Sequence, residues 1–195
     1  MIDKVIVITR EGKQISLTEW QKLYNLTPGS HRIGEFFWLQ EDRFKKDIEM
    51  YGELIVNEML IRFLDGLRKA SNHPINLNAF NRSEQHQQNL KAKGFRAAEV
   101  SPHVVRRVKT ANEVLIHGAV AGDVDTLSKD DTYALVKTAK EVSSILKIKV
   151  RMGYEDYLKD GSTFVHFDTC PEYYAPGKPW HHLPHPAAWE KVITW

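Results

Sequence analysis

Two long segments of this chain place apolar residues at helical spacing, and the remaining elements must fit around them. Residues 52–70 and Lys129–Leu146 each present one apolar face, which predicts two amphipathic helices. Ser128, with Asp131 three residues later, is the predicted N-cap of the second helix. Short extended segments are predicted at 4–9, 75–80, 119–125, 148–154 and 163–168. This order predicts an α+β fold in which a small antiparallel sheet is flanked by two long helices.

The predicted helix boundaries and turns indicate one globular unit with an N-terminal extension and a C-terminal tail. A shorter helix is predicted to begin at Ser83 and to end at Gly94, and Asp160-Gly161 is typical of a hairpin turn between the last two strands. Residues 1–50 lack a clean period, so we interpret them as an N-terminal extension packed on a single domain at 51–195. The proline-rich stretch at 171–195 is predicted to be an irregular tail.

Cysteine content and charge narrow the chemistry that the chain can support. A single cysteine, Cys170, excludes an internal disulfide and excludes zinc sites built from several cysteines, so any metal must be bound by His, Asp or Glu. The formal net charge of +2 does not require a polyanionic partner. Arg106, Arg107 and Lys109 are the one basic cluster considered as a nucleic-acid contact, and three basic residues are weak evidence, so nucleic acid is not the expected partner.

The N-terminal residues and the hydropathy of the chain bear on its location. Residues 1–10 lack a basic segment followed by a long apolar run, and no apolar run reaches the length of a membrane span. We therefore expect no membrane span and a protein that is cytoplasmic as synthesised. An action at the cell wall would then follow release, as in a phage or prophage setting.

Three short segments each place a metal-binding side chain among small or β-forming residues. They are SPH at 101–103, AGDVD at Ala121–Asp125 and FVHFD at Phe164–Asp168. Hydrolytic zinc sites usually have three protein ligands and leave a fourth position for water, whose pKa the metal lowers to about 7. Two histidines and one aspartate, His103, Asp123 and His166, would make such a set.

These three segments resemble, in order, the motifs of the LAS-type zinc metallopeptidases. That family includes D-alanyl-D-alanine carboxypeptidases, vancomycin-resistance dipeptidases and phage L-alanyl-D-glutamate endopeptidases, with the Hedgehog signalling domain as a relative. The resemblance implies their fold, Zn²⁺ bound by His103, Asp123 and His166, and peptidoglycan or another D-amino-acid-containing peptide as partner. It also matches Arg82 and Ser83 within 78–90 to a strand-turn-helix of the family, with Arg82 positioning the substrate through its forked donors.

The chain departs from the family pattern between its first two ligands. The first histidine and the aspartate of the family usually lie a few residues apart, whereas residues 104–120 intervene here and are predicted to form an inserted loop or hairpin. His117 is therefore a competitor of His103, and Asp125 is a rival of Asp123. We expect the side chains of these two aspartates to point to opposite faces of the strand. Only one of them, preferably Asp123, would then face the metal.

A second departure concerns the proton-transfer group. Many relatives carry Glu or Asp three residues before the last histidine, and others carry His two residues before it, but those positions are Thr163 and Phe164 here. Asp160 is the candidate general base. Asp168 shares the alternation of His166 and is predicted to orient that histidine from outside the ligand set, where Ser101 is also placed.

The expected function is a zinc-dependent peptidase acting on peptidoglycan stem peptides, either a carboxypeptidase or an endopeptidase. The alternative, favoured by Thr163 at the usual base position, is a non-catalytic module of the same fold that binds cell wall or another protein.

Overall fold

The computed structural model describes residues 2–71, 74–94, 101–174 and 191–193. The described strands are β1 (Val5–Ile8), β2 (Gln14–Ser16), β3 (Leu54–Asn57), β4 (Leu77–Ala79), β5 (Arg106–Lys109), β6 (Val114–His117), β7 (Ala121–Asp125), β8 (Val150–Gly153), β9 (Phe164–Asp168) and β10 (Lys191–Ile193). The α-helices are α1 (Leu17–Leu23), α2 (Asp42–Tyr51), α3 (Glu58–Ser71), α4 (Glu84–Ala92), α5 (Lys129–Leu146), α6 (Glu155–Lys159) and α7 (Cys170–Tyr173).

The larger sheet has five strands in the order β10-β8-β9-β7-β4, and every neighbouring pair is antiparallel. The predicted α+β class with an antiparallel sheet is therefore confirmed. Its central register places Asp123 of β7 opposite His166 of β9, and places Arg151 of β8 opposite Asp168. Because side chains alternate along a strand, these four polar residues lie on one face of the sheet.

The opposite face of the sheet is apolar and carries the helices. Val124, Val165, Phe167 and Met152 are buried there, and the Phe167 ring lies 5.3 Å from the ring of Phe63 in α3, measured between centroids. Helix α3 in turn packs against α5. This burial anchors the two central strands, so the polar face is supported by a close-packed layer beneath it.

The first part of the chain forms a second sheet in the order β2-β1-β3, with β1 and β3 parallel. The strand predicted at 4–9 is confirmed as β1, but the helix predicted over 52–70 was wrong for its first turn. Residues Leu54–Asn57 form the buried strand β3, and α3 begins at Glu58. A short apolar run satisfies the pattern of a buried strand and of a helix equally well, and pairing with β1 decides between them here.

The region before β3 contains two helices and contributes to the core. Helix α1 begins in a capping box, in which Ser16 and Glu19 satisfy each other's backbone N–H groups. Three aromatic residues, Trp20 of α1, Phe44 of α2 and Phe37 between these helices, are buried in the apolar cluster that also includes residues of α3 and the five-stranded sheet. Residues 2–51 thus share a continuous core with the rest of the described chain.

Other predicted boundaries agree with the structure more closely. Helix α4 begins after the N-cap Ser83, and α5 spans the predicted Lys129–Leu146 with Ser128 accepting a hydrogen bond from the Asp131 N–H. The predicted turn between β8 and β9 contains a helix, α6, before the turn at Gly161. The tail predicted as irregular lies largely outside the described residues, at 175–190 and 194–195. Among the described helices, none is long and apolar enough to cross a bilayer.

Residues 104–120, predicted as an inserted loop or hairpin, contain the antiparallel hairpin β5–β6. Gly118 ends this hairpin with φ +78, and a Cβ atom there would lie 1.8 Å from the carbonyl oxygen of Val104. The Asn57 side-chain amide donates hydrogen bonds to the carbonyls of Gly118 and Ala119, at 3.2 and 2.6 Å. Gly118 therefore allows the hairpin to close against the chain next to His103.

Replacing Gly118 with alanine should be far more costly than the same change at Gly161. Both residues have positive φ, +78 and +81, but a Cβ at Gly161 meets nothing within 4 Å. The shared left-handed conformation costs about 1–2 kcal/mol, and the clash at Gly118 adds about 1–3 kcal/mol. Urea unfolding of the two variants measures the difference. Equal destabilisation would contradict the close approach of Val104 and Gly118.

Candidate metal site

Three ligand candidates from separate segments converge on one point of the polar face. The Asp123 Oδ1 atom lies 3.1 Å from His103 Nε2 and 2.8 Å from His166 Nδ1, and the two ring nitrogens lie 3.1 Å apart. Both histidines are buried, whereas 13% of the Asp123 side chain remains exposed. Among the described residues, this is the group whose ligand atoms come close enough together to hold a metal ion.

Strand register selects Asp123 rather than Asp125. The expectation that the strand would separate the two aspartates by face was wrong, because residues two apart on a strand share a face. They differ in position along β7 instead: Asp123 pairs with His166, whereas Asp125 pairs with Phe164 at the exposed end of the strand. The regular pairing of β7 with β9 thus places one carboxylate beside one imidazole.

His103 reaches the same point from a loop that is held by hydrogen bonds. The Ser101 Oγ atom accepts a hydrogen bond of 3.3 Å from the His103 N–H, a local turn typical of serine. The Arg82 N–H donates to the His103 carbonyl at 3.0 Å, and the Val105 N–H donates to the Arg82 carbonyl at 2.9 Å. Ser101 is buried, so its hydroxyl contributes to the backbone geometry and lies outside the ligand set.

The outer nitrogen of each histidine contacts a group that can only accept a hydrogen bond. His103 Nδ1 lies 2.8 Å from the Phe80 carbonyl oxygen, and His166 Nε2 lies 3.2 Å from Asp168 Oδ2. Those nitrogens must therefore carry hydrogen, which leaves the lone pairs of His103 Nε2 and His166 Nδ1 directed at each other and at Asp123. Three electron-rich atoms in contact require a cation between them, either a proton or a metal ion.

The outer carboxylate is itself held by a buried arginine. Arg151 Nε lies 2.9 and 3.1 Å from the two oxygens of Asp168, and the Cys170 N–H donates to Asp168 Oδ1 at 3.0 Å. On the other side of the cluster, Arg82 Nη2 lies 3.9 Å from Asp123 Oδ2, and Arg82 Nη1 donates to Gln87 at 2.8 Å. Each anionic group of the site thus has a guanidinium beside it.

The pKa values of the four titratable groups in the cluster are shifted in different directions. Burial lowers the pKa of His103. Burial also opposes the charged form of His166, but hydrogen bonds to Asp123 and Asp168 outweigh it and raise the His166 pKa to about 10. Burial disfavours the Asp123 anion as well, yet the two imidazoles hold the pKa of Asp123 well below its usual range. Despite its burial, Asp168 has a pKa lowered to about 2 by His166 and Arg151.

The spacing of the three atoms fits a divalent ion. Ligand atoms bound at about 2.0–2.1 Å, with ligand–metal–ligand angles of roughly 90–110°, lie about 2.8–3.4 Å from one another. The observed separations of 2.8–3.1 Å lie in the lower part of that range. A backbone carbonyl and a carboxylate on the outer nitrogens are the usual support for metal-binding histidines. The residues present therefore fit a bound metal ion.

The remaining predicted site residues lie at other places. His117, the competitor of His103, belongs to hairpin strand β6, where its ring packs near Tyr174. Asp160 caps the C-terminus of α6 and is exposed. The Thr163 carbonyl accepts a hydrogen bond from the Thr126 N–H at 2.9 Å, and the Phe164 ring packs on Tyr157. The structure thus brings together His103, Asp123, His166, Asp168, Ser101 and Arg82.

The basic cluster on the hairpin forms ion pairs within the chain. Arg106 Nε lies 3.2 Å from Glu84 Oε1, and Arg107 pairs with Glu53. Both arginines thereby have an acidic partner on a neighbouring element.

Metal affinity should increase with pH because a proton occupies the site in the metal-free protein. The His166 pKa of about 10 means that this imidazole is charged at neutral pH, so a metal ion has to displace its proton. Release of one proton predicts that the apparent Kd falls about tenfold per pH unit between roughly pH 6 and 8. Zinc titrations in buffers of different ionisation enthalpy measure both quantities. A Kd independent of pH would contradict this protonation state.

Comparison with known proteins gives no match for this chain among family models, curated proteins or solved structures.

Proposed function

We propose that this protein is a metal-dependent hydrolase whose centre is His103, Asp123 and His166. The observation that carries the proposal is the convergence of three ligand atoms whose histidines are each supported through the outer nitrogen. Three protein ligands, rather than four, are typical of metal sites that perform catalysis. When bound, the ion would polarise a substrate carbonyl and lower the pKa of a water molecule.

Within that class we propose a zinc peptidase that cleaves peptidoglycan stem peptides. Support comes from the resemblance of SPH, AGDVD and FVHFD to motifs of the LAS-type family, and from the closeness of the ligand atoms of His103, Asp123 and His166, which those three segments contribute. We also propose that the fold is Hedgehog-like, with two long helices flanking the sheet. Two histidines and a carboxylate suit zinc, but the same set also suits Fe²⁺, so the metal has to be identified by analysis.

The residues around the centre have separate roles in this proposal. Arg82, with a guanidinium 3.9 Å from Asp123 and a side chain that is 16% exposed, would bind a substrate carboxylate or carbonyl. The buried histidines and the sheet beneath them would keep the ligands rigid. Asp160, exposed at the C-terminal end of α6, is the candidate for proton transfer, a role that requires its carboxylate to come within hydrogen-bond reach of the reacting group.

The second candidate is a module of the same fold that binds cell wall or another protein without cleaving it. The observation that favours it is the absence of a carboxylate at the usual base position, where Thr163 uses its backbone carbonyl to bind Thr126. Such a module would keep the metal for stability and would bind peptide through Arg82.

The test is hydrolysis of purified peptidoglycan fragments by untagged protein loaded with zinc, followed by mass spectrometry of the products. The proposal expects release of an amino acid or peptide that stops with a chelator and returns with zinc. Arg82→Ala should raise KM more than it lowers kcat, while Asp125→Ala, on the same strand face as Asp123, should retain activity. Binding of fragments without any cleavage would support the non-catalytic module. Zinc-loaded protein that neither cleaves nor binds any fragment would overturn the peptidase assignment.

A further inference from the structure

Strands β8 and β9 carry three buried polar side chains that contact one another in series, and the last of them is a ligand candidate of the metal site. Arg151 is 3% exposed and pairs through Nε with both oxygens of Asp168, which is fully buried. Asp168 Oδ2 in turn accepts the Nε2–H of His166 at 3.2 Å. The β8–β9 register places Arg151 directly opposite Asp168, so the ion pair is fixed by backbone pairing as well as by side-chain contact.

We propose that Arg151 is a positioning residue for the metal centre, acting through Asp168 to hold His166 with Nδ1 toward the metal. This inference rests on the proposed metal centre and not on the peptidase reaction.

Simple packing gives no reason for a guanidinium at this position. Replacing a buried ion pair such as Arg151–Asp168 with apolar groups of similar volume is often neutral or stabilising, so burial alone does not require a charge here. A carboxylate that orients a ligating histidine, however, has to remain ionised and in one rotamer. Arg151 supplies both conditions, because it balances the charge of Asp168 and restricts its rotation.

The arrangement also fixes which nitrogen of each histidine binds the metal. Asp168 binds the Nε2 side of His166, whereas the Phe80 carbonyl binds the Nδ1 side of His103. The metal-loaded protein should therefore use Nδ1 of His166 and Nε2 of His103. If Asp168 loses its guanidinium partner, it can rotate away from His166, and the imidazole can then flip or exchange its proton between nitrogens.

The test measures zinc affinity, by competition with a chelating dye, in a set of variants around the ion pair. Arg151→Met should lower zinc affinity about 10- to 100-fold, the usual effect of removing support for a ligating histidine. Arg151→Lys should recover part of that loss because it restores the charge without the guanidinium geometry. Met152→Ala is the matched control: it weakens the next position of the same strand on the opposite face and should leave zinc affinity unchanged.

A double-mutant cycle separates positioning from a general structural role. If Arg151 acts through Asp168, adding Arg151→Met to Asp168→Asn should not lower zinc affinity further. The double variant also removes both buried charges, so it remains informative if Arg151→Met alone fails to fold. Nitrogen-15 spectra of the zinc-loaded wild type should show His166 bound through Nδ1, with a second tautomer in Arg151→Met.

Three results would overturn the inference. Equal zinc affinity in Arg151→Met and Met152→Ala would show that the arginine only stabilises the strand. Independent, multiplicative losses in the double variant would show that it does not act through Asp168. Failure of wild type to bind zinc would remove the metal centre itself, whereas binding of zinc without peptide hydrolysis would leave the role of Arg151 intact and count only against the peptidase proposal.

Discussion

Replacing Asp123 with alanine is expected to lower zinc affinity by roughly 100- to 1,000-fold. Structural zinc sites with four ligands bind with about 10–16 kcal/mol, so one ligand contributes roughly 3–4 kcal/mol, or about two to three powers of ten. His103→Ala and His166→Ala should have effects of the same size, because all three atoms meet at one point. Competition titration with a chelating dye provides the measurement.

Two control variants make this prediction specific to the proposed ligands. Asp125 shares the strand face of Asp123 but pairs with Phe164, and His117 lies on the hairpin strand β6. Asp125→Ala and His117→Ala should therefore retain the affinity of the wild type. Loss of zinc in either control, with retention in Asp123→Ala, would mean that the ligand set has been assigned to the wrong residues.

Metal binding should also stabilise the fold by a large amount. An ion that binds only the folded state contributes about 4 kcal/mol when its free concentration is 1,000 times Kd. For a domain of this size, each kcal/mol shifts Tm by about 2–4 °C, so Tm should increase by roughly 8–16 °C. The ligands come from β7, β9 and the loop at His103, which lie up to 63 positions apart in the sequence and must stay together for binding.

Thermal unfolding with zinc and with a chelator tests this linkage. Asp123→Ala is the control, because its fold contains the same sheet but lacks one ligand, and its Tm should change little on addition of zinc. A similar increase in the wild type and in Asp123→Ala would show that zinc stabilises the protein from another site.

Part of the site could be predicted from local sequence. His166 and Asp168 alternate within one strand, and Asp123 lies in a segment of small residues, so local patterns were sufficient to nominate them. Their pairing depends on the β7–β9 register, which a single sequence does not specify because the partner strand is distant in the chain. The choice between Asp123 and Asp125 required that register.

Other parts of the molecule could not be inferred in the same way. Arg151 was missed, although a lone charged residue between Val150 and Met152 in a strand is a signal of a buried partner. The Phe80 carbonyl that orients His103 is a backbone group, so the identity of the residue at that position does not reveal the contact. In the N-terminal region, the capping box of Ser16 and Glu19 marked the start of α1, but the surrounding aromatic residues obscured the helical period.

The first turn of the predicted 52–70 helix shows a different limit. Leu54, Ile55 and Val56 fit a helical apolar face and a buried strand equally well, and only the distant β1 strand selects the second conformation. Helix α5, which begins at the local N-cap Ser128, was predicted correctly, whereas the conformation of Leu54–Asn57 was not, because it depends on pairing with β1.

Metal content of the untagged wild-type protein, purified after expression with zinc and iron both supplied, tests the central claim most directly. Native mass spectrometry combined with elemental analysis should find about one zinc ion per chain, and denaturation should release it. Protein that contains no metal under these conditions, and that takes up none on titration with zinc or iron, would contradict a metal centre at His103, Asp123 and His166.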